Sequence, residues 1–264
     1  MPESTERIAI YAREKEIHNS ESFHQARAVE LAGVYENNPL MKAVNEAYLS
    51  QPGILAGKKV LDYGCGSGEW TMQFLERGAD NVVSIDLSDY LVEQLRDAFK
   101  ASGYDHRATA MTMNAEHLTF SDNTFDVVLG SGILHHLNLD AALLEVRRVL
   151  REGGKAVFME PLGVNPLLNL YRNRTPHLRS PDERPLTSAD IATIEKYFRI
   201  TARKSFFLTS MAAYLFRMVI KNQFLFEKTQ SLLHTTDKFL MRLFPPLHNL
   251  CWYTVIELEK PLQA

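Results

Sequence analysis

The chain has 264 residues, 45% of them apolar and 23% charged, with 29 Lys and Arg against 32 Asp and Glu. This is ordinary globular usage, enough for one large domain with its own core, and it excludes a disordered chain, a coiled coil and a collagen-like repeat. A net charge of −3 offers no basic field for a nucleic-acid backbone, so no nucleic-acid partner is expected.

Ile8, Tyr11, Ile17, Phe23 and Val29 recur among charged residues and predict one or two amphipathic helices over residues 6–32. Residues 40–50 read as another short helix, stopped by Gln51-Pro52-Gly53. Residues 1–53 are thus expected to form an N-terminal helical cover, and residues 54–264 the main domain. From Lys58 apolar runs alternate with helical patterns, the mark of βαβ units around a parallel sheet. The predicted strands are Lys59–Tyr63, Asn81–Asp86, Ala108–Thr112, Phe125–Leu129, Lys155–Glu160, Ile200–Phe207 and Trp252–Leu258. The predicted helices are Glu69–Arg77, Asp89–Ser102 with Ser88 as N-cap, Leu139–Leu150 and Ser188–Phe198. Over residues 161–187 the pattern loosens into proline and mixed charge. Residues 209–248 read as apolar, aromatic helices that form a cap inserted before the last strand. The fold class is α/β and Rossmann-like.

The two cysteines, Cys65 and Cys251, cannot build a disulfide framework, which fits a reducing compartment. The first seven residues lack the basic-then-apolar signature of a signal peptide, and a cytoplasmic location is expected. No uninterrupted apolar run approaches about 18 residues. Even Phe206 to Phe226 is broken by Arg217 and Lys221, so no transmembrane segment is expected.

The strongest chemical signal is Val60-Leu61-Asp62-Tyr63-Gly64-Cys65-Gly66-Ser67-Gly68, a buried strand running into a glycine loop and then a helix. Glycines permit positive φ and close approach of a ligand, and a helix N-terminus adds free N–H donors. The spacing is Gly-x-Gly-x-Gly, not the Gly-x-Gly-x-x-Gly of dinucleotide binders. Asp62, just before the loop, disfavours a pyrophosphate and suits an ammonium or sulfonium. Asp86, at the tip of the second strand, can accept from both hydroxyls of a ribose. An adenosyl group without phosphates and with a positive charge is S-adenosylmethionine.

This constellation resembles the class I S-adenosylmethionine-dependent methyltransferases. Asn114-Ala115-Glu116 ahead of Phe125-Asp126-Val127-Val128, Leu134-His135-His136-Leu137 after the fourth strand, and Leu150-Arg151-Glu152-Gly153-Gly154 before the fifth are similar to that family's motifs in order; Glu152 stands where proline is usual. Glu160-Pro161-Leu162-Gly163, Asn169-Leu170-Tyr171-Arg172 and Arg179-Ser180-Pro181-Asp182-Glu183 resemble a bacterial small-molecule subgroup found in natural-product tailoring. The resemblance implies a seven-stranded sheet in the order 3-2-1-4-5-7-6 with the last strand antiparallel. It implies S-adenosyl-L-methionine as cofactor, S-adenosyl-L-homocysteine as product, and in-line methyl transfer to O, N or C of a small, largely apolar molecule.

With the local chemistry, the resemblance places Asp62, Gly64, Cys65, Gly66 and Gly68 around the methionine part. Asp86 falls on the ribose, Leu87 beside the adenine, and Asn114, Ala115 and Glu116 at the adenine edge. Ser131 and His136 complete the cofactor site. His135 and His136 are the candidate general bases; the alternative is that one packs in the core and the other only lines the site. Tyr11 and His18, at helical spacing, are candidates to fold over the cofactor; the alternative is a solvated amphipathic helix that only packs on the sheet. Tyr171 and Arg172 are candidate substrate contacts, although the neighbouring Arg179, Asp182 and Glu183 can pair among themselves. Phe207 and Met211 are the expected pocket contribution of the cap, whose other readings are a dimer face or a lipid-touching surface. Adjacent His135 and His136 do not have metal-ligand spacing, so no metal is expected. The alternatives are a methyltransferase of a prenylated, quinone-like lipid at a membrane surface, a non-catalytic cofactor-binding subunit that recruits a protein, and, last, a dehydrogenase.

Overall fold

The computed structural model describes residues 5–261. Three helices, α1 (Thr5–His18), α2 (Glu21–Tyr35) and α3 (Pro39–Ser50), precede the first strand. The strands are β1 (Lys59–Tyr63), β2 (Asn81–Asp86), β3 (Ala108–Thr112), β4 (Phe125–Ser131), β5 (Leu150–Pro161), β6 (Arg199–Phe206) and β7 (Tyr253–Glu259). They form one sheet in the order β3-β2-β1-β4-β5-β7-β6, with β7 antiparallel to both neighbours. The expected strand order and hand of the last strand are found.

Side chains alternate across the sheet, and each face buries its own core. From β1, Leu61 and Tyr63 face one core and Val60 the other. Helices α6 (Leu139–Val149) and α8 (Ser188–Tyr197) cover the first face through Leu143, Val146, Ile191 and Ile194. Helices α4 (Glu69–Glu76) and α5 (Asp89–Ala101) cover the second through Phe74, Val92, Leu95 and Phe99. Helix α3 joins that second layer with Leu40, Val44 and Tyr48. The first 53 residues therefore divide: α3 packs on the sheet, and only α1 and α2 lie over its edge.

Strand and helix bounds differ from the sequence reading by one or two residues, except at β5, which begins at Leu150 rather than Lys155, and at α2, which runs through Gly33 to Tyr35 instead of ending at residue 32. One helix was not anticipated, α7 (Pro166–Arg174). Its N-cap Asn165 accepts from Leu167 and Leu168, and Pro166 occupies its first turn; that pair is a helix-start signal masked by the surrounding prolines.

The segment between β6 and β7 holds α9 (Tyr214–Met218) and α10 (Gln223–Leu243). Asp237 of α10, fully buried, accepts from the backbone N–H groups of Leu208, Thr209 and Ser210 and from the hydroxyls of Thr209 and Ser210. These bonds tie the chain leaving β6 to α10. They hold the cap against α3, where Leu40 N–H donates to Gln230 Oε1, and not over the carboxyl ends of β1 and β2. No helix among the described residues is long and apolar enough to cross a membrane. Asp237→Ala should strand these donors in the core and cost about 3–5 kcal/mol, read as a lowered urea midpoint with little change in slope.

Candidate functional site

The loops at the carboxyl ends of β1, β2 and β4 surround a cavity of about 610 Å³, within the roughly 300–1,000 Å³ usual for small-molecule sites. Its floor is Gly64, Gly66, Ser67, Asp86, Leu87, Asn114, Ala115, Ser131 and His136. Its roof is α1 and α2, through Tyr11, Glu14, His18, His24 and Ala28.

The glycine loop is shaped by its backbone. Gly66 has φ +52° and nothing within 4 Å of where a Cβ would stand, so the loop leaves room for a ligand. Gly68 has φ +83°, and a Cβ there would strike Leu95 of α5. Asp86 accepts from Gly66 N–H at 2.8 Å and from Ser88 N–H at 2.9 Å. Each carboxylate oxygen has two acceptor sites, so a pair of oxygens held in place by the backbone remains for a diol. Asn114 is fixed by Glu116 N–H, which donates to its Oδ1 at 2.9 Å. Leu87, Met113 and Ala115 add apolar wall.

Four of the expected cofactor residues lie behind the wall rather than on it. Asp62 is 2% exposed and accepts from the Thr71 hydroxyl of α4; it braces the helix after the loop. Burial pushes its carboxyl up to about 7, with Asp86 adding to the shift against the Thr71 bond. Cys65 is buried, its N–H donates to Ile85 C=O, and burial raises its thiol well above the ordinary value, so it is neither a lining residue nor a nucleophile. Gly68 serves as N-cap of α4. Glu116 is 3% exposed and accepts from Tyr11 Oη at 2.6 Å, from Arg7 Nε at 3.2 Å and from Asn138 N–H at 2.7 Å. It fastens α1 to the sheet.

The two histidines separate. His135 is buried and its Nδ1 lies 2.7 Å from Glu160 Oε2; Glu160 Oε1 also accepts from Ile133 and Leu134 N–H. His135 thus pins the turn Leu134–His136 and does not line the cavity, which corrects its expected role as a base. His136 does line it, with Nδ1 3.2 Å from Glu14 Oε2. His18 Nε2 stands 3.4 Å from the same oxygen. Burial alone would raise the Glu14 carboxyl, but the two imidazoles and Ser180 hold it well below the usual range. Glu14 escaped the sequence reading. Its spacing to His18, i to i+4 on one helix, was the available signal.

The other expected substrate contacts fall elsewhere. Arg172 donates to Leu162 C=O and to Asn169 Oδ1, and Tyr171 lies under the Arg179 guanidinium. Phe207 is fully buried against Tyr214 and Trp252, and Met211 packs on the same core. None of these four lines the cavity: Tyr171 and Arg172 are engaged within and beside α7, and Phe207 and Met211 go with the cap, which packs on α3 and leaves the roof to α1 and α2.

Residues 60–154 match the family described as "Methyltransferase domain". That match takes in β1 to β4 and the start of β5, with the loops that floor the cavity. Among curated proteins, a ubiquinone/menaquinone biosynthesis C-methyltransferase of Idiomarina loihiensis is 37% identical over 111 residues, which is 41% of this chain and 44% of that protein. A demethylmenaquinone methyltransferase of Symbiobacterium thermophilum is 30% identical over 162 residues, 60% of this chain and 62% of that protein. The chain thus spans about half the length of the curated relatives it matches. Among solved structures, the geranyl diphosphate C-methyltransferase of Streptomyces coelicolor shares the fold, with TM-score 0.63 and 12% identity over 88% of this chain and 84% of that one.

The raised carboxyl of Asp62 makes a pH test of this domain. A group whose folded value exceeds its unfolded one stabilises fully below the unfolded value, about 4, and that contribution is gone once the pH has passed the folded value, about 7. The ligand-free protein should therefore weaken across this window. Asp62→Asn, which keeps an acceptor for Thr71, should flatten that part of the decline in denaturant midpoints taken across the window.

Proposed function

We propose that the chain transfers a methyl group from S-adenosylmethionine to a small, largely apolar acceptor held beneath α1 and α2. The observation that carries this reading is Asp86, fixed by two backbone N–H groups at the tip of β2 with acceptor capacity left toward the cavity. The residues present fit the cofactor. Gly66 leaves an open cradle, Asp86 suits a ribose diol, Asn114 and Leu87 flank a slot for the base, and no basic cluster among the lining residues invites a pyrophosphate. When bound, the cofactor supplies an activated methyl. The protein's part is alignment and exclusion of water, which is most of what such a displacement needs. The roof helix α1 is tied over the site: Ser88 donates to His18 C=O, and Lys15 and Arg13 reach Asp89 and Asp182 across the rim. A cytoplasmic location is part of this proposal.

The two quinone-pathway relatives support an acceptor of apolar, ring-bearing type. A second reading, an acceptor taken from a lipid surface, is favoured by α9 and α10. Leu215, Met218, Val219, Ile220 and Phe224 are more than half exposed, with Val219 at 70% and Phe224 at 65%. The exposed Lys221 and Lys228 stand among them, which complements an anionic bilayer. Phe224→Glu should then reduce co-sedimentation with anionic phospholipid vesicles; equal sedimentation of both proteins, or none, retires the lipid reading and leaves the soluble one.

Calorimetry with S-adenosylhomocysteine tests the main proposal. The wild type should bind one equivalent, and Asp86→Ala should bind more weakly by about 1–3 kcal/mol, the worth of hydrogen bonds to a charged group. Binding unchanged by the substitution removes the ribose role, and no binding removes the proposal.

A further inference from the structure

Glu14 and His18 are one turn apart on α1, and the turn after β4 brings His136 to them. Glu14 Oε2 stands 3.4 Å from His18 Nε2 and 3.2 Å from His136 Nδ1, and all three ligand atoms lie within 4.8 Å of one another. Two donors each about 2.0–2.2 Å from one ion are roughly 3–3.5 Å apart, so two of the three separations already suit a shared metal. The third needs a small rotation of either ring.

The cluster is poorly explained as a set of hydrogen bonds. Glu14 is 5% exposed, yet its Oε1 makes no hydrogen bond. His136 Nδ1 and the neighbouring Ser180 Oγ, both buried, likewise make none of normal geometry. The carboxylate, the imidazole and the hydroxyl thus face one another without well-aligned bonds, which leaves buried lone pairs that a shared cation would satisfy. Two neutral imidazoles and one carboxylate are the donor set of transition dications with open positions, not of magnesium or calcium, which take oxygens.

We infer that Glu14, His18 and His136 form a binding site for a transition-metal dication of the zinc, cobalt or iron(II) type, set in the wall of the main cavity. All three residues line that cavity, so the ion's remaining positions face its interior. There they suit water or the oxygen of a hydroxylated acceptor. This last step rests on the proposed methyl transfer; the metal site itself does not. The site also joins the roof to the floor, since Glu14 and His18 come from α1 and His136 from the turn after β4.

A second set, His135, His136 and Glu183, shares one member. His135 Nδ1 is already committed to Glu160, and its Nε2 is 3.9 Å from Glu183. The first set is therefore assigned.

The test uses the full chain, stripped with a chelator and titrated with Co2+ alone while its visible ligand-field absorption is followed. One equivalent should bind saturably, with a spectrum of nitrogen and oxygen ligation, and Zn2+ should displace it. Glu14→Gln and His18→Asn should each weaken Co2+ binding by more than the roughly 10–100-fold that loss of a residue orienting a ligand costs. Glu183→Gln should leave binding unchanged. Far-ultraviolet dichroism checks that each variant is folded. Absence of a saturable site, retention of binding in both α1 variants, or loss of binding in Glu183→Gln overturns the inference. The readout is free of methyl transfer, so either proposal can fail while the other stands.

Discussion

A single buried carboxylate, Glu116, fastens the amino-terminal helix across the carboxyl ends of the parallel strands. Arg7 and Tyr11 reach it from α1, and Asn138 N–H reaches it from the loop before α6. Ser88, Asp89 and Asp182 add ties at the rim, and neither α9 nor α10 contributes a lining residue to the cavity. A carboxylate this buried is tolerable only when its lone pairs are filled, and its three partners come from two separate parts of the chain.

A division of labour follows among the buried acids. Glu160 accepts from Ile133, Leu134 and His135, and so shapes the turn that presents His136. Asp237 ties the exit of β6 to α10. Asp86 and Glu14, which both line the cavity, keep acceptor capacity toward it. Acids that look equivalent along the chain thus differ by whether the fold saturates them. The saturated ones position backbone, and the unsaturated ones face the cavity.

The helical insertion before the last strand shows the limit of reading apolarity as a pocket. Its aromatic residues split into a buried set, with Phe226 packed on Tyr214, and an exposed set led by Phe224 and Val219. The buried set completes the layer containing α3. The exposed set faces away from that layer, with Lys221 and Lys228 beside it, and gives the molecule an apolar, basic corner distinct from its cavity.

Much was legible from local pattern. The seven strands, the glycine loop and Asp86 are signalled within a few residues each, because strand alternation, positive φ at glycine and an acid at a strand tip are local properties. The sheet order came from the motifs' likeness to a known family. Helix α7 was hidden, since prolines on both sides of it outweighed the single Asn165-Pro166 start signal.

What the sequence by itself determined is the architecture and the cradle: which segments pair, where the loop bends and which acid stands at the second strand tip. What only the tertiary structure decided is the roof and the side chains that meet beneath it. The choice of α1 over the inserted helices, and the meeting of Glu14 and His18 with His136, depend on contacts between residues more than a hundred positions apart. Such contacts are set by the packing of whole elements, and no local spacing encodes them.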